Sequence, residues 1–246
     1  MNNNPYETDK LLGEYLLFHY GEDKVQMPWS SGPKEALGFA VRTVSELLDS
    51  SDTNSFEHAL DVGCAVGRST FELAKKFSFV KGIDFSEAFI EAAEKLNQGG
   101  ELFYEYLEEG NCFSRGVARC PSHSNSVKFI LGDACNLNEK DASYDLVHAA
   151  NLICRLPNPK SFISCLSKII RPGGQLILAT PFTWLQEYTP EESWIGNGNS
   201  ESQLEMILSP HFGLEKKVDL PFLIREHRRK FQYSVALGTR WRRLDI

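Results

Sequence analysis

Between residues 58 and 180, short apolar runs alternate with amphipathic stretches, and this rhythm restricts the fold more than any other feature of the chain. His58–Val62, Phe79–Asp84, Val127–Leu131, Tyr144–Ala150 and residues 175–180 read as strands. Residues 68–77, 86–96 and 159–170 read as helices, the second opening at Ser86 as its cap and the third ending at Arg171-Pro-Gly-Gly174. Strands that alternate with helices of this length build βαβ units, a parallel sheet and right-handed crossovers. After residue 200 the rhythm changes. A helix over 202–208 is followed by strands at 213–220 and 231–238 with a short connection, so one late strand runs antiparallel.

The N-terminal 55 residues read as a helical cover. A helix over 8–20 is followed by a loop through Met27-Pro-Trp29. A second helix, capped by Ser31 or Gly32 with Pro33 in its first turn, runs to about Leu48, and a polar breaker spans 49–55. Residues 98–126 fit no element apart from a short helix at 102–107, and read as an inserted loop, a lid or an oligomer contact.

With 246 residues the chain is long enough for one large domain with a real core, and the expectation is one domain over 1–246. The net charge of −7 argues against bulk nucleic-acid binding. Arg225, Arg228, Arg229, Lys230, Arg240, Arg242 and Arg243 do crowd the last 22 positions, either as a charged strand edge or as an anion site. No apolar run reaches membrane-spanning length, and the N-terminus lacks signal-peptide character, so the chain is expected in the cytosol with its six cysteines reduced. Cys112, Cys120 and His123 come nearest to a metal cluster, but their spacing fits no zinc pattern, and no metal is expected.

The chemistry concentrates at Ala59-Leu-Asp61-Val-Gly63-Cys-Ala-Val-Gly67-Arg-Ser. A strand enters a glycine turn and leaves as a helix whose free N–H groups face the crevice where open α/β sheets bind nucleotides. The turn lacks the spacing of the dinucleotide fingerprint. It resembles that of class I S-adenosylmethionine-dependent methyltransferases, with Ala65 in place of the middle glycine. Four further features agree in order. Asp84 stands 17 residues past Gly67, at a strand tip, where a carboxylate can take both ribose hydroxyls. Gly132-Asp133-Ala134 follows the third strand, Asn151 ends the fourth, and Ile170-Arg-Pro-Gly-Gly leads into the fifth. The resemblance implies a Rossmann-like fold with a mainly parallel seven-stranded sheet and one late antiparallel strand. It also implies S-adenosylmethionine as cofactor and S-adenosylhomocysteine as product. Its cofactor contacts fall on Gly63, Cys64, Ala65, Gly67, Asp84, Phe85, Asp133, Ala134 and Asn151, with Trp29 as a cover.

Several segments carry a narrower likeness: 6–21 (Tyr-Glu-Thr-Asp-Lys-Leu-Leu-Gly-Glu-Tyr-Leu-Leu-Phe-His-Tyr-Gly), Pro28-Trp-Ser-Ser-Gly-Pro-Lys34, Gly132-Asp-Ala-Cys-Asn-Leu137 and 221–236. Together they resemble the ovothiol-biosynthesis methyltransferases, which act on the imidazole π nitrogen of thiohistidine and are often fused behind an iron-dependent sulfoxide synthase. The expectation is that here the module stands alone, with that synthase as a separate upstream enzyme. Tyr15 and His19, one helical turn apart, and Asn151 are the candidate catalytic residues. Tyr15, His19, Arg155 and Arg225 are the candidate substrate contacts, either arginine serving to clamp a carboxylate. Two alternatives stay open: the same chemistry on another small molecule, and a binding subunit that retains the pocket without turnover.

Overall fold

A computed structural model describes residues 5–51, 56–121 and 126–245. Of the readings above, His123 and residues 52–55 lie outside these. The N-terminal helix α1 is Asp9–Tyr20, started by the Thr8 hydroxyl, which accepts from the Leu11 N–H. A short helix α2 (Asp23–Gln26) follows. The continuous second helix expected to about Leu48 is instead a 3-10 turn at Lys34–Ala36 and a separate α3 at Phe39–Ser45. Gly38 divides them because it sits at φ +67°, a conformation that ends a right-handed helix.

Strand β1 (His58–Val62) leads into α4 (Arg68–Leu73), β2 (Phe79–Asp84) and α5 (Glu87–Asn97). Within the stretch 98–126, expected as a loop with one short helix and with 122–125 outside the described residues, β3 (Glu101–Glu109) and β4 (Cys112–Arg119) form an antiparallel hairpin. Its alternation is half hidden, because Phe103 and Phe113 on the outer face are as apolar as the inner Tyr104 and Ala118. Then come β5 (Val127–Leu131), β6 (Tyr144–Ala150), α6 (Pro159–Ile169), β7 (Ile170–Thr180), α7 (Ser200–Leu208), β8 (Phe212–His227) and β9 (Lys230–Arg243). β7 begins earlier than residue 175 because Ile170 already pairs with Tyr144 before a bulge re-registers the strands.

The main sheet has the order β5-β2-β1-β6-β7-β9-β8. All pairs from β5 to β7 are parallel, and β9 lies antiparallel between β7 and β8. β1 and β6 are buried nearly throughout, as central strands covered on both faces must be. One core layer joins Leu16, Phe18, Phe39 and Phe71 beneath α1, α3, α4 and α5. The other joins Phe162, Leu166, Leu204 and Trp241 beneath α6 and α7.

The last two strands run well past their expected ends, turning at Arg228-Arg229. Their basic residues are consumed by local partners, which is why charge did not stop them. Arg240 and Arg242 both pair with Glu215 and reach Asp49, and Arg243 donates to the Ser167 carbonyl. The basic crowding is therefore spent on ion pairs and carbonyl contacts within the fold rather than on a sheet edge, since β9 is flanked by β7 and β8.

Candidate active site

The glycine turn needs left-handed backbone at three positions in five. Gly63, Ala65 and Gly67 have φ of +73°, +46° and +86°. A Cβ on Gly63 would approach the Leu152 side chain to 2.9 Å, and one on Gly67 would meet the Phe129 ring at 2.7 Å. Ala65 takes this conformation with a side chain, held by its N–H, which donates to Asp84 Oδ2 at 2.8 Å. The Ser86 N–H donates to Asp84 Oδ1 at 2.9 Å. Burial pushes the Asp84 carboxyl up to about 6, against the pull of these two N–H groups.

Beneath the turn, β1 and β6 each carry a polar residue into the core. Asp61 Oδ2 accepts from the hydroxyls of Ser69 and Thr70, and Oδ1 lies 2.7 Å from His148 Nδ1. His148 Nε2 stands 3.0 Å from the Thr43 hydroxyl on α3. Burial opposes the Asp61 charge, but His148 and the two hydroxyls hold its carboxyl below the usual range. This network ties the turn and the first turn of α4 to the helical cover. It was missed in the sequence, where its signal is a polar residue inside each of two otherwise apolar strands.

A cavity of about 580 Å³ opens above the carboxyl ends of β1, β2, β5 and β6. Gly63, Ala65, Ser69, Asp84, Phe85, Asp133 and Ala134 line one end. Asp133 is fixed by accepting from the Cys135 N–H at 2.8 Å, and Phe85 stands 62% exposed at the rim. Tyr15, Phe18 and His19 of α1, Phe39, Phe89, Asn151, Arg155, Glu187 and Tyr188 line the rest. Asn151 has φ +53°, and its buried Oδ1 finds no partner among the described residues. His19 Nδ1 is likewise buried and unpartnered, and burial takes its pKa down to about 3. Burial raises Tyr15 to about 12. Buried polar atoms without a partner are uncommon in folded chains, and two of them belong to residues of this wall. Tyr6, Glu187 and Tyr188 were not singled out in the sequence, since only folding brings them here.

Four expected contacts lie elsewhere. Cys64 turns its thiol into the core, 3.7 Å from the Ala65 carbonyl, and Gly67 packs on Phe129, so neither lines the cavity. Trp29 does not cover the site: its Nε1–H donates to the Arg228 carbonyl, and Arg228 and Arg229 stack on its ring. Arg225 is buried away from the cavity, paired with Glu108 at 2.6 Å, donating to the Val25 carbonyl and lying over Tyr106. Its charge is spent on the β3–β4 hairpin. A wider depression of about 1040 Å³ beside Trp184 and Trp194 holds none of the motif residues. No group of three metal-ligating side chains occurs among the described residues.

A family model described as a methyltransferase domain matches residues 60–178. Norajmaline N-methyltransferase of Rauvolfia serpentina is 28% identical over 175 residues, covering 68% of this chain and 51% of the relative. An O-methyltransferase of Pyrenophora dematioidea is 25% identical over 210 residues, covering 85% and 67%. The chain thus spans between about half and two thirds of these relatives. Magnesium protoporphyrin IX methyltransferase of Synechocystis PCC 6803, solved with S-adenosylmethionine bound, superposes with a TM-score of 0.56 at 18% identity, over 96% of this chain and 97% of that one.

Residues 60–178 thus match a methyltransferase domain, and the chain has the Rossmann-like methyltransferase fold of its solved neighbours. The cavity fits S-adenosylmethionine as the methyl donor. The missing Cβ of Gly63 leaves room for a close approach, Asp84 offers a carboxylate at the tip of β2, and Asp133 and Ala134 border the same end. None of the described helices is long and apolar enough to cross a membrane.

Proposed function

We propose that this methyltransferase transfers the methyl group to the imidazole π nitrogen of 5-thiohistidine, forming ovothiol A. The observation that carries the reading is the origin of the acceptor wall. Tyr6, Tyr15, Phe18 and His19 all come from segment 6–21, where the likeness to the ovothiol-biosynthesis methyltransferases is specific, rather than from the widely shared glycine turn. A wall of aromatic rings with two unpartnered polar atoms suits a flat heteroaromatic ring with polar edges.

When bound, S-adenosylmethionine supplies a methyl group already activated on a sulfonium. The residues therefore act by alignment. His19, with its pKa near 3, stays neutral at physiological pH and places no second positive charge beside a cationic donor. The same low pKa makes it a poor base, and Tyr15 near 12 is no better suited, so an imidazole nitrogen that arrives with its lone pair free is the competent nucleophile. Asn151 and His19, both in the cavity wall, would hold the ring edge and turn the competing sulfur away from the methyl group. The acceptor must come from a reaction that installs sulfur on histidine, the role the resemblance gives to an iron-dependent sulfoxide synthase.

Mass spectrometry of products from S-adenosylmethionine with thiohistidine, and with histidine as control, tests the reading. One methyl on the thiohistidine ring nitrogen and none on histidine is the expected result. Intact S-adenosylhomocysteine binding without product would move the acceptor to another small molecule.

A further inference from the structure

One cationic side chain in the cavity wall has no acidic partner. Arg155 ends the 3-10 turn after β6 (Ile153–Arg155). Its Nη1 donates to the carbonyls of Cys154 and Thr183 at 3.0 and 2.7 Å, and its guanidinium carbon stands 5.0 Å from the centre of the Tyr188 ring. Two carbonyls and a ring thus fix the guanidinium plane, while no carboxylate pairs with it among the described residues. By contrast Arg225, the other arginine considered for this role, lies outside the cavity, with Nη1 donating to the Val25 carbonyl and Nη2 paired with Glu108.

Tyrosine hydroxyls gather around this charge. The Tyr6 ring lies 5.9 Å from Tyr15 and 6.2 Å from Tyr188, and the Tyr6 hydroxyl is in hydrogen-bonding contact with both. Arg155 acts electrostatically on Tyr6 and Tyr15 alike. Three chain segments far apart in sequence therefore deliver hydroxyls and a guanidinium to one region. The acids that mark the nucleoside end, Asp84 and Asp133, stand on other strand tips, and Glu187 shares the rim with Arg155. A fixed guanidinium fork with neighbouring O–H donors matches a carboxylate, and an acid on the same rim matches an adjacent ammonium.

We propose that Arg155, with the hydroxyls of Tyr6 and Tyr188, forms a subsite for the carboxylate of an α-amino acid, with Glu187 taking its ammonium group. The assignment deepens the preceding section and rests on an amino-acid acceptor. The methionine end of the donor carries the same pair of groups, so the two sources must be separated by experiment.

The test uses ligands that differ at this group, with Arg155→Gln and the milder Tyr188→Phe, which keeps the ring that supports the arginine. For the acceptor, kcat/KM is measured on thiohistidine and on its decarboxylated amine. For the donor side, calorimetry compares S-adenosylhomocysteine with 5′-methylthioadenosine, which lacks the amino-acid group and also reports that the variants are folded. Loss of one charge-assisted contact predicts that the preference for thiohistidine over the amine collapses about 10- to 100-fold in Arg155→Gln, and by less in Tyr188→Phe. S-adenosylhomocysteine affinity should stay within about threefold, an allowance for indirect effects. If instead S-adenosylhomocysteine alone weakens about 10-fold or more, the subsite stands with the donor as its source. If neither preference changes, or all four ligands weaken together, the subsite is overturned. A wild-type enzyme that ignores thiohistidine refutes the acceptor reading by itself, and the subsite is then judged on the donor pair.

Discussion

Asn151 is where backbone and chemistry meet most tightly. Its φ of +53° is tolerated better by asparagine than by most residues, and the residue lines the cavity with its Oδ1 buried and unpartnered among the described residues. Asn151→Ala should lower kcat about 10- to 100-fold while changing S-adenosylhomocysteine affinity little. Asn151→Gly should recover the stability that Ala loses at positive φ, and none of the activity. Equal activity in either variant and wild type would remove Asn151 from the site. Asp84 and His19 make opposite demands on pH. Burial raises Asp84 from 3.8 to about 6, so between those values the folded form holds a proton the unfolded chain has released, and stability falls as pH rises. Burial lowers His19 from 6.5 to about 3, so between those values the unfolded chain holds the extra proton, and stability rises with pH. The two slopes oppose each other from about pH 4 to 6. Urea midpoints of Asp84→Asn should therefore climb over that window more steeply than those of wild type, and midpoints of His19→Asn should fall. Donor-side affinity should also rise as pH passes about 6, because only ionised Asp84 accepts from both ribose hydroxyls. A pH-independent affinity would show that Asp84 is already ionised below that value.

At the scale of elements, the β3–β4 hairpin seats the helix that carries the acceptor wall. Gly13 of α1 lies against β3 so closely that a Cβ would stand 2.3 Å from the Glu105 carbonyl oxygen. Gly13→Ala must push the helix and hairpin apart, at about 1–3 kcal/mol. Because Tyr15 and His19 ride on α1, acceptor KM should rise as well. A destabilised Gly13→Ala with unchanged KM would show that helix position and acceptor binding are separable. Arg225 holds the hairpin from the other side. Arg225→Met leaves Glu108 unpaired in a mostly buried position and should cost about 2–4 kcal/mol. The double change with Glu108→Leu should regain much of that loss, both read from urea unfolding. Any rise in acceptor KM in Arg225→Met should run through the hairpin and be reversed with stability in the double variant; a raised KM that the double variant leaves unrestored would return Arg225 to the substrate contacts.

Over the whole molecule, the cavity is closed by parts that lie far apart in the sequence. The floor comes from the parallel strands, one wall from α1, and the rim from the 181–199 connection after β7. A ligand touching all three should tighten them together. At 100 times its Kd, S-adenosylhomocysteine should add about 2.7 kcal/mol, raising Tm by about 5–10 °C for a chain of this size. Hydrogen exchange in α1 should slow with it. A rise in Tm without protection of α1 would mean that the product bridges floor and rim only.

The parallel sheet, its late antiparallel strand and the nucleotide end of the site were legible in the sequence because their signals are local. Apolar runs, glycines forced into left-handed backbone at Gly63 and Gly67, and an acid at the tip of β2 need only near neighbours to be read. The division of the second helix was local too, written in Gly38, but its side-chain context suggested continuity. The inserted hairpin escaped because both its faces carry aromatic residues, which blurs a period of two. At the acceptor end Tyr15, His19, Asn151 and Arg155 were named from the sequence and do line the cavity, but Tyr6, Glu187, Tyr188 and the choice between two arginines could not be read locally. Whether Arg155 or Arg225 is available to a ligand depends on where Glu108 falls, 117 residues before Arg225 in the chain. Tyr6 and Tyr188 meet across 182 positions, and Trp29 is claimed by the Arg228 carbonyl from the far hairpin tip. Charge pairing and ring stacking act through space, so for these residues the tertiary structure alone decided which side chains were spent on the fold and which were left for a ligand.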